Sequence, residues 1–191
     1  MTGKEPLLVL VGGAPGSGKT TLARRLTGEL RLPLLAKDDV KEALYDTLGA
    51  PDRAASRRLG MAAYAVLYAV LDRLLEAGTG AVVESNFYRG LAEAGLRPFV
   101  ARSTAAHVHC QAPADEIVRR YVARAERGER HPGHHDRAAV PDLLAALESG
   151  AIEPLDLGVP VLRVDTSDGY APAWDQILDF VRSARASPRC G

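Results

Sequence analysis

Apolar residues fall along the chain in short blocks whose spacing switches between the strand and helix periods. Pro6–Val11 (PLLVLV) is an unbroken apolar run, the pattern of a central parallel strand covered on both faces. Glycines follow, and then Leu22, Leu26 and Leu30 at helical spacing predict a helix from about Gly18 to Leu30. A short second strand at Pro33–Ala36 leads into Lys37-Asp38-Asp39, where the two aspartates are placed to cap a helix reaching about Leu48. From Pro51-Asp52 a long helix is expected, with Leu59, Ala62, Ala63, Val66, Leu67, Val70, Leu71 and Leu74 on one face and Gly78 and Gly80 at its end. Ala81–Val83 reads as a third strand closing on Glu84-Ser85-Asn86, and Ala105–Cys110 as a fourth. Beyond it the pattern predicts helices from Pro113 to about Arg127 and over Pro141–Leu147, a fifth strand at Val159–Val164 and a closing helix at Ala173–Ala184.

Short apolar strands alternating with helices imply right-handed crossovers and an α/β fold: a five-stranded parallel sheet with helices on both faces. In such sheets ligands bind at the carboxyl ends of the strands. The loops after the first three strands, carrying Gly13–Thr20, Asp38 and Glu84–Asn86, are therefore expected to share one crevice. With 191 residues the chain suits one domain, read as residues 1–186 with 187–191 as a tail. It shows no internal repeat, low-complexity tract or linker.

Composition narrows the partners. Lys plus Arg and Asp plus Glu are 24 each, so no net field draws in a polyanion, and aromatics are only 5%. Both features argue against a nucleic-acid partner. The apolar run at Leu7–Val11 is cut off by Gly12 and Gly13, too short for a membrane span, and reads as a first strand rather than a signal peptide. Cys110 and Cys190 follow no metal spacing; a buried strand thiol and a tail residue suit a reducing cytoplasm. A monomer and a homodimer both remain open.

The most specific motif is Gly13-Ala14-Pro15-Gly16-Ser17-Gly18-Lys19-Thr20, a G-x-x-x-x-G-K-[ST] loop between a strand and a helix. Its glycines let successive N–H groups turn inward at a helix N-terminus and nest an anion. Lys19 is placed to reach the β- and γ-phosphates of ATP, and the Thr20 hydroxyl to ligate Mg2+, with Thr21 beside it. Asp38 is a candidate base for an acceptor hydroxyl, while helix capping would also account for either aspartate; Lys41, one turn on, is placed to face the same cleft. Glu84, at a strand end, suits the water shell of magnesium or a solvent-facing terminus. Asn86 and Arg89 suit an acceptor's hydroxyls, although turn formation also explains Asn86.

Arg120, Arg124 and Arg127 recur on one helix face inside a basic stretch running to Arg137, the composition of a mobile lid over about residues 119–147. A solvated face of Arg–Glu pairs accounts for part of it. His131, His134 and His135 in HPGHHD have no partner cluster to complete a metal site and read as a lid tip. Trp174, spaced with Ile177, Leu178 and Val181, reads as core. Thr166, in Asp165-Thr166-Ser167, follows the last strand, where a loop approaches the nucleotide.

The order of these features resembles the P-loop kinases of small molecules. It is most similar to the AAA-type set that includes chloramphenicol phosphotransferase, the zeta toxins and the 5′-kinase domain of polynucleotide kinase. Lys37-Asp38-Asp39 and Glu84-Ser85-Asn86 look like the polynucleotide kinase versions, and the Ala77-Gly78 turn like that of chloramphenicol phosphotransferase. The resemblance implies an ATP- and Mg2+-dependent phosphotransferase with Asp38 as general base. It also implies Arg120 and Arg124 near the transferring phosphate and Asp165–Ser167 near the base. The sequence departs from that pattern at Glu84, where several relatives carry Asp, and in HPGHHD. A small hydroxylated acceptor is expected, with a nucleic-acid 5′-hydroxyl or a slowly hydrolysing nucleotide switch as alternatives.

Overall fold

The first strand, β1 (Leu7–Gly13), is buried at every residue, as its apolar run requires. In the computed structural model, which describes residues 5–127, 131 and 140–184, it is the middle strand of a five-stranded parallel sheet. The remaining strands are β2 (Leu34–Ala36), β3 (Ala81–Glu84), β4 (Thr104–Gln111) and β5 (Val161–Asp165), in the order β2-β3-β1-β4-β5. The chain reverses direction across the sheet between β3 and β4, on either side of β1. That switch opens a crevice at the carboxyl end of β1.

Seven helices complete the described residues: α1 (Lys19–Leu30), α2 (Lys37–Leu48), α3 (Arg53–Glu76), α4 (Ala92–Val100), α5 (Ala114–Glu126), α6 (Val140–Glu148) and α7 (Trp174–Ala184). One sheet face carries Leu7, Val9, Val11, Val108 and Val164 against Leu22 and Leu26 of α1 and Ile177 and Val181 of α7. The other carries Leu8, Leu10, Ala81 and Val83 against Leu67, Leu71 and Leu75 of α3 and Leu96 and Phe99 of α4. Alternate residues of the inner strands β1, β3 and β4 thus serve opposite faces, both covered by helices, while the edge strand β5 leaves Val161 and Arg163 exposed. Among the described residues no helix is long and apolar enough to cross a membrane.

Three details differ from the sequence pattern. Asp38 and Asp39 lie in the first turn of α2 behind the N-cap Ala36, where their charge meets the positive end of the helix rather than capping it. Along α3 the buried row is Leu59, Ala63, Leu67, Leu71 and Leu75, while Val66 and Val70 stay 43% and 42% exposed. A helix rich in Ala and Val is apolar over more of its circumference than the sheet can cover. Helix α4 breaks the sequence rules, since it contains Gly95 and Pro98. Gly95 is needed there because a Cβ would lie 2.8 Å from the Tyr68 ring of α3.

His107 and His109 of β4 are buried beneath the same face, 1% and 5% exposed, with ring centroids 5.8 Å apart. Neither ring nitrogen of His107 has a hydrogen-bond partner. Burial pushes His107 down to about 3 and His109 down to about 4 from the ordinary 6.5, so both are neutral when folded. The unfolded chain binds more protons below pH 6.5. Their contribution to stability is therefore full above 6.5 and is lost as pH falls toward 3, by about 1.4 kcal/mol per pH unit per ring. We expect His107→Leu to raise the urea midpoint at pH 7.5, because two unpaired nitrogens leave the core, and to raise it further at pH 5. An equal gain at both pH values would show that His107 does not titrate with unfolding.

Candidate active site

The glycine loop begins where β1 ends. Gly13 has φ 137° and Gly16 φ 93°, both in the region that favours glycine. A Cβ on Gly13 would lie 2.3 Å from the Cys110 carbonyl, and one on Gly16 would lie 2.7 Å from the Ile117 carbonyl. The loop is thus pressed against β4 and α5. Gly18, also left-handed, is the N-cap of α1 without a side-chain cap, so the N–H groups of the first turn are not capped by a side chain there. The Ser17 hydroxyl is buried and has no partner. Ala14 and Ser17 close a tight turn (Ser17 N–H to Ala14 carbonyl, 3.1 Å), with Pro15 at its corner.

Lys19, the first residue of α1, is 5% exposed; its Nζ lies 3.5 Å from the Ala14 carbonyl and 3.5 Å from Glu84 Oε1. Glu84 closes β3, the neighbour of β1, and is 3% exposed. Burial first, then the charges of Asp38 and Asp39, raise the Glu84 carboxyl, while Lys19 lowers it. Asp39 is raised by partial burial, opposed by Arg24. Three carboxylates from α2 and β3 therefore repel one another near the lysine. Thr20 is half-buried beside Lys19, and Thr21 is exposed.

These hard oxygens fit Mg2+, which takes one or two carboxylates and completes its shell with water and phosphate oxygens. Among the described residues no group of three or more His, Cys, Asp or Glu has metal-holding geometry, so the phosphates themselves would complete the shell. The polyphosphate also fits: a cavity of about 300 Å3 is lined by Gly16 and Gly18 on one side and by Arg119, Arg120, Arg124 and Arg127 of α5 and its end on the other.

Arg120 is anchored as well as exposed to that cavity. Its guanidinium donates to the carbonyls of Thr166 (3.0 Å) and Ser167 (2.9 Å), and its Nε to Glu116 (2.5 Å). Thr166 in turn donates its hydroxyl to the Ser17 carbonyl at 2.9 Å, and its N–H to the Gln111 carbonyl at 2.9 Å. The loop after β5 is therefore tied to the glycine loop and to α5. That tie joins residues 149 positions apart and carries no local signal in the sequence.

Of the residues expected to meet an acceptor, Lys41 is buried, Asn86 holds a buried Oδ1 without a partner, and Arg89 is exposed on a loop pinned by its N–H to the Ala151 carbonyl at 2.8 Å. Two partners were not singled out by pattern. Tyr64 of α3 reaches Ser85 with its hydroxyl (2.6 Å), and Lys37 lies 3.2 Å from Asp38 Oδ1. Tyr64 reads in the sequence as one more helix-face residue, so nothing flags it before the fold is known.

Elsewhere, His131 bonds Asp46 at 2.8 Å and meets the Tyr45 ring edge-on, while His134, His135, Arg130 and Arg137 lie outside the described residues, as does Cys190. Cys110 is free, and burial pushes its thiol up to about 12. Trp174 packs at the core edge, with Arg25 stacked 3.9 Å from its ring centroid.

A family described as AAA domain matches residues 8–149. The chain belongs to that family. This AAA domain chain is similar to a solved structure from Chloroflexus aurantiacus described as a "putative kinase". The two are 38% identical over 94% of this chain and 98% of that one, with a TM-score of 0.82. A sugar kinase from Janibacter sp. and a gluconokinase from Sinorhizobium meliloti, each 19% identical, share the fold. Their TM-scores are 0.59 and 0.54, covering 95% and 96% of this chain and 96% and 91% of theirs. No curated protein matches the sequence. The P-loop α/β fold and the kinship with P-loop kinases agree with the sequence expectation.

Proposed function

We propose that this chain is an ATP-dependent phosphotransferase that moves the γ-phosphoryl group onto a hydroxyl of a small molecule such as a metabolite, nucleoside, sugar or antibiotic. The observation that carries the reading is the facing of two charged walls across the glycine loop. Gly16 and Gly18 look onto Arg119, Arg120, Arg124 and Arg127, while Lys19 and the carboxylates of Glu84, Asp38 and Asp39 gather on the other side. A simple nucleotide switch has no need of the three carboxylates gathered beside Lys19. The kinase named in the 38%-identical relative supports the same reading.

Loop N–H groups and Lys19 hold the phosphates in line, and Arg124 neutralises charge as it spreads over the transferring group. Arg120 sets the loop at Thr166 against the nucleotide. Thr20 and Glu84 would hold Mg2+, which would supply charge neutralisation on the phosphates. Asp38 takes the proton of the acceptor hydroxyl, and Lys41, Asn86 and Arg89 orient the acceptor. Residues 1–186 act as one unit with 119–147 as its lid, followed by the 187–191 tail, in the cytoplasm as a monomer or homodimer.

The test is incubation with γ-labelled ATP, Mg2+ and a library of hydroxylated metabolites, antibiotics and 5′-hydroxyl oligonucleotides, with the labelled product identified by mass. A labelled small organic product is expected. A labelled oligonucleotide alone would move the acceptor to nucleic acid, and inorganic phosphate alone would leave a nucleotide switch.

A further inference from the structure

We propose that Lys37 is a positioning residue that holds the Asp38 carboxylate ionised and aimed, braced from α3 and β3 by Tyr64 and Ser85. The inference rests on the reading of Asp38 as base. Lys37 and Asp38 are sequence neighbours at the start of α2, and neighbours one apart on a helix do not face each other. They nonetheless pair at 3.2 Å, with side chains only 16% and 22% exposed. Something outside α2 must bring them together, and α3 supplies it. The Lys37 ammonium lies 5.9 Å from the centroid of the Tyr64 ring, within cation–π reach, and runs alongside Gly60 one turn earlier.

The same ring is fixed at its other end. Its hydroxyl lies 2.6 Å from Ser85 Oγ, and the Ser85 N–H donates to the Val11 carbonyl of β1 at 3.2 Å. Burial pushes the phenol up to about 12, so it keeps its proton and the contact persists through neutral pH. Ser85 directly follows Glu84, the partner of Lys19. One line of contacts therefore runs from Asp38 through Lys37, Tyr64 and Ser85 to the strand that carries the glycine loop.

The surrounding charge explains why a cation is needed. Asp39 and Glu42 on α2 and Glu84 on β3 crowd the same region, with Tyr64 on α3 and Lys19 and Arg24 on α1. A base must be ionised to accept a proton, and the like charges of Asp39 and Glu84 crowd Asp38. The Lys37 ammonium is a counter-charge in direct contact with Oδ1.

The experiment needs no acceptor. The Asp38 carboxyl carbon is followed by 13C NMR across pH in the full chain, with its resonance assigned by its loss in Asp38→Asn. Lys37→Met and Lys37→Gln are expected to raise its titration midpoint by about one to three pH units, the range for removing a close opposite charge. Lys37→Arg should restore it, Tyr64→Phe, which keeps the ring and loses the Ser85 contact, should move it slightly, and Tyr64→Leu should move it further. With Mg·ATP alone and water as acceptor, the acidic limb of hydrolysis should rise with the midpoint in Lys37→Met. An unmoved Asp38 midpoint in both Lys37→Met and Lys37→Gln would overturn the proposal. Wild-type hydrolysis in Asp38→Asn, with the Lys37 shifts intact, would remove the base reading and leave the Lys37 assignment standing.

Discussion

Lys19→Met is expected to cut turnover of Mg·ATP by about 10²–10³-fold, the usual cost of losing one preorganised charge at a transferring group. Its effect on stability should be at least as large. Lys19 and Glu84 are a buried pair at 3.5 Å, 5% and 3% exposed. Removing the cation strands a carboxylate that burial already pushes toward protonation. Breaking such a pair costs about 3–5 kcal/mol when the partner stays charged. Glu84 has its folded pKa raised, so the penalty should be largest at high pH and shrink as pH falls and Glu84 takes up a proton. Lys19→Met/Glu84→Gln should recover most of the stability and none of the turnover. Urea unfolding of both variants at two pH values, beside a turnover assay, separates the two effects. If the double variant stays as unstable as the single one, the lysine is not held in place by this carboxylate.

Asp38→Ala is expected to divide transfer from binding. A positioned base contributes about 10²–10⁴-fold, so turnover onto the identified acceptor should fall within that range. Nucleotide affinity should change less than twofold, because Asp38 sits on α2 beyond β2 and the glycine loop is built by β1, β4 and α5. The fold should tolerate the change, since the Lys37–Asp38 pair is partly exposed and Lys37 keeps its contact with the Tyr64 ring. Titrating a fluorescent ATP analogue and measuring initial rates on the same preparation checks both halves. Wild-type transfer by the variant would leave Asp38 without a role as base.

Much of the architecture was legible because it is written in local spacing. The unbroken PLLVLV run announces a strand buried on both faces, and β1 has no exposed residue. Helix α1 follows from Leu22 and Leu26, both buried, and the strand–loop–helix order of Gly13–Thr20 leaves little choice of backbone. Arg120, Arg124 and Arg127 share a face because helical spacing obliges them to, and the structure turns that face to Gly16 and Gly18. Helix α4 was hidden by Gly95 and Pro98, which cost an isolated helix dearly. It forms because Leu96 and Phe99 find the sheet, and Glu93 ties down the N–H groups of Gly90 (2.8 Å) and Asp156 (3.2 Å).

By itself, the sequence determined the P-loop with Lys19 and Thr20, the parallel α/β order and the arginine face of α5. Each is encoded within a few consecutive residues, where chain connectivity does the positioning. Tertiary structure alone decided which charges meet. Lys19 finds Glu84 across 65 positions, Thr166 locks onto Ser17, and Tyr64 reaches Ser85. Those partners are set by strand order and by how far α3 stands from the sheet, and no local spacing carries either quantity.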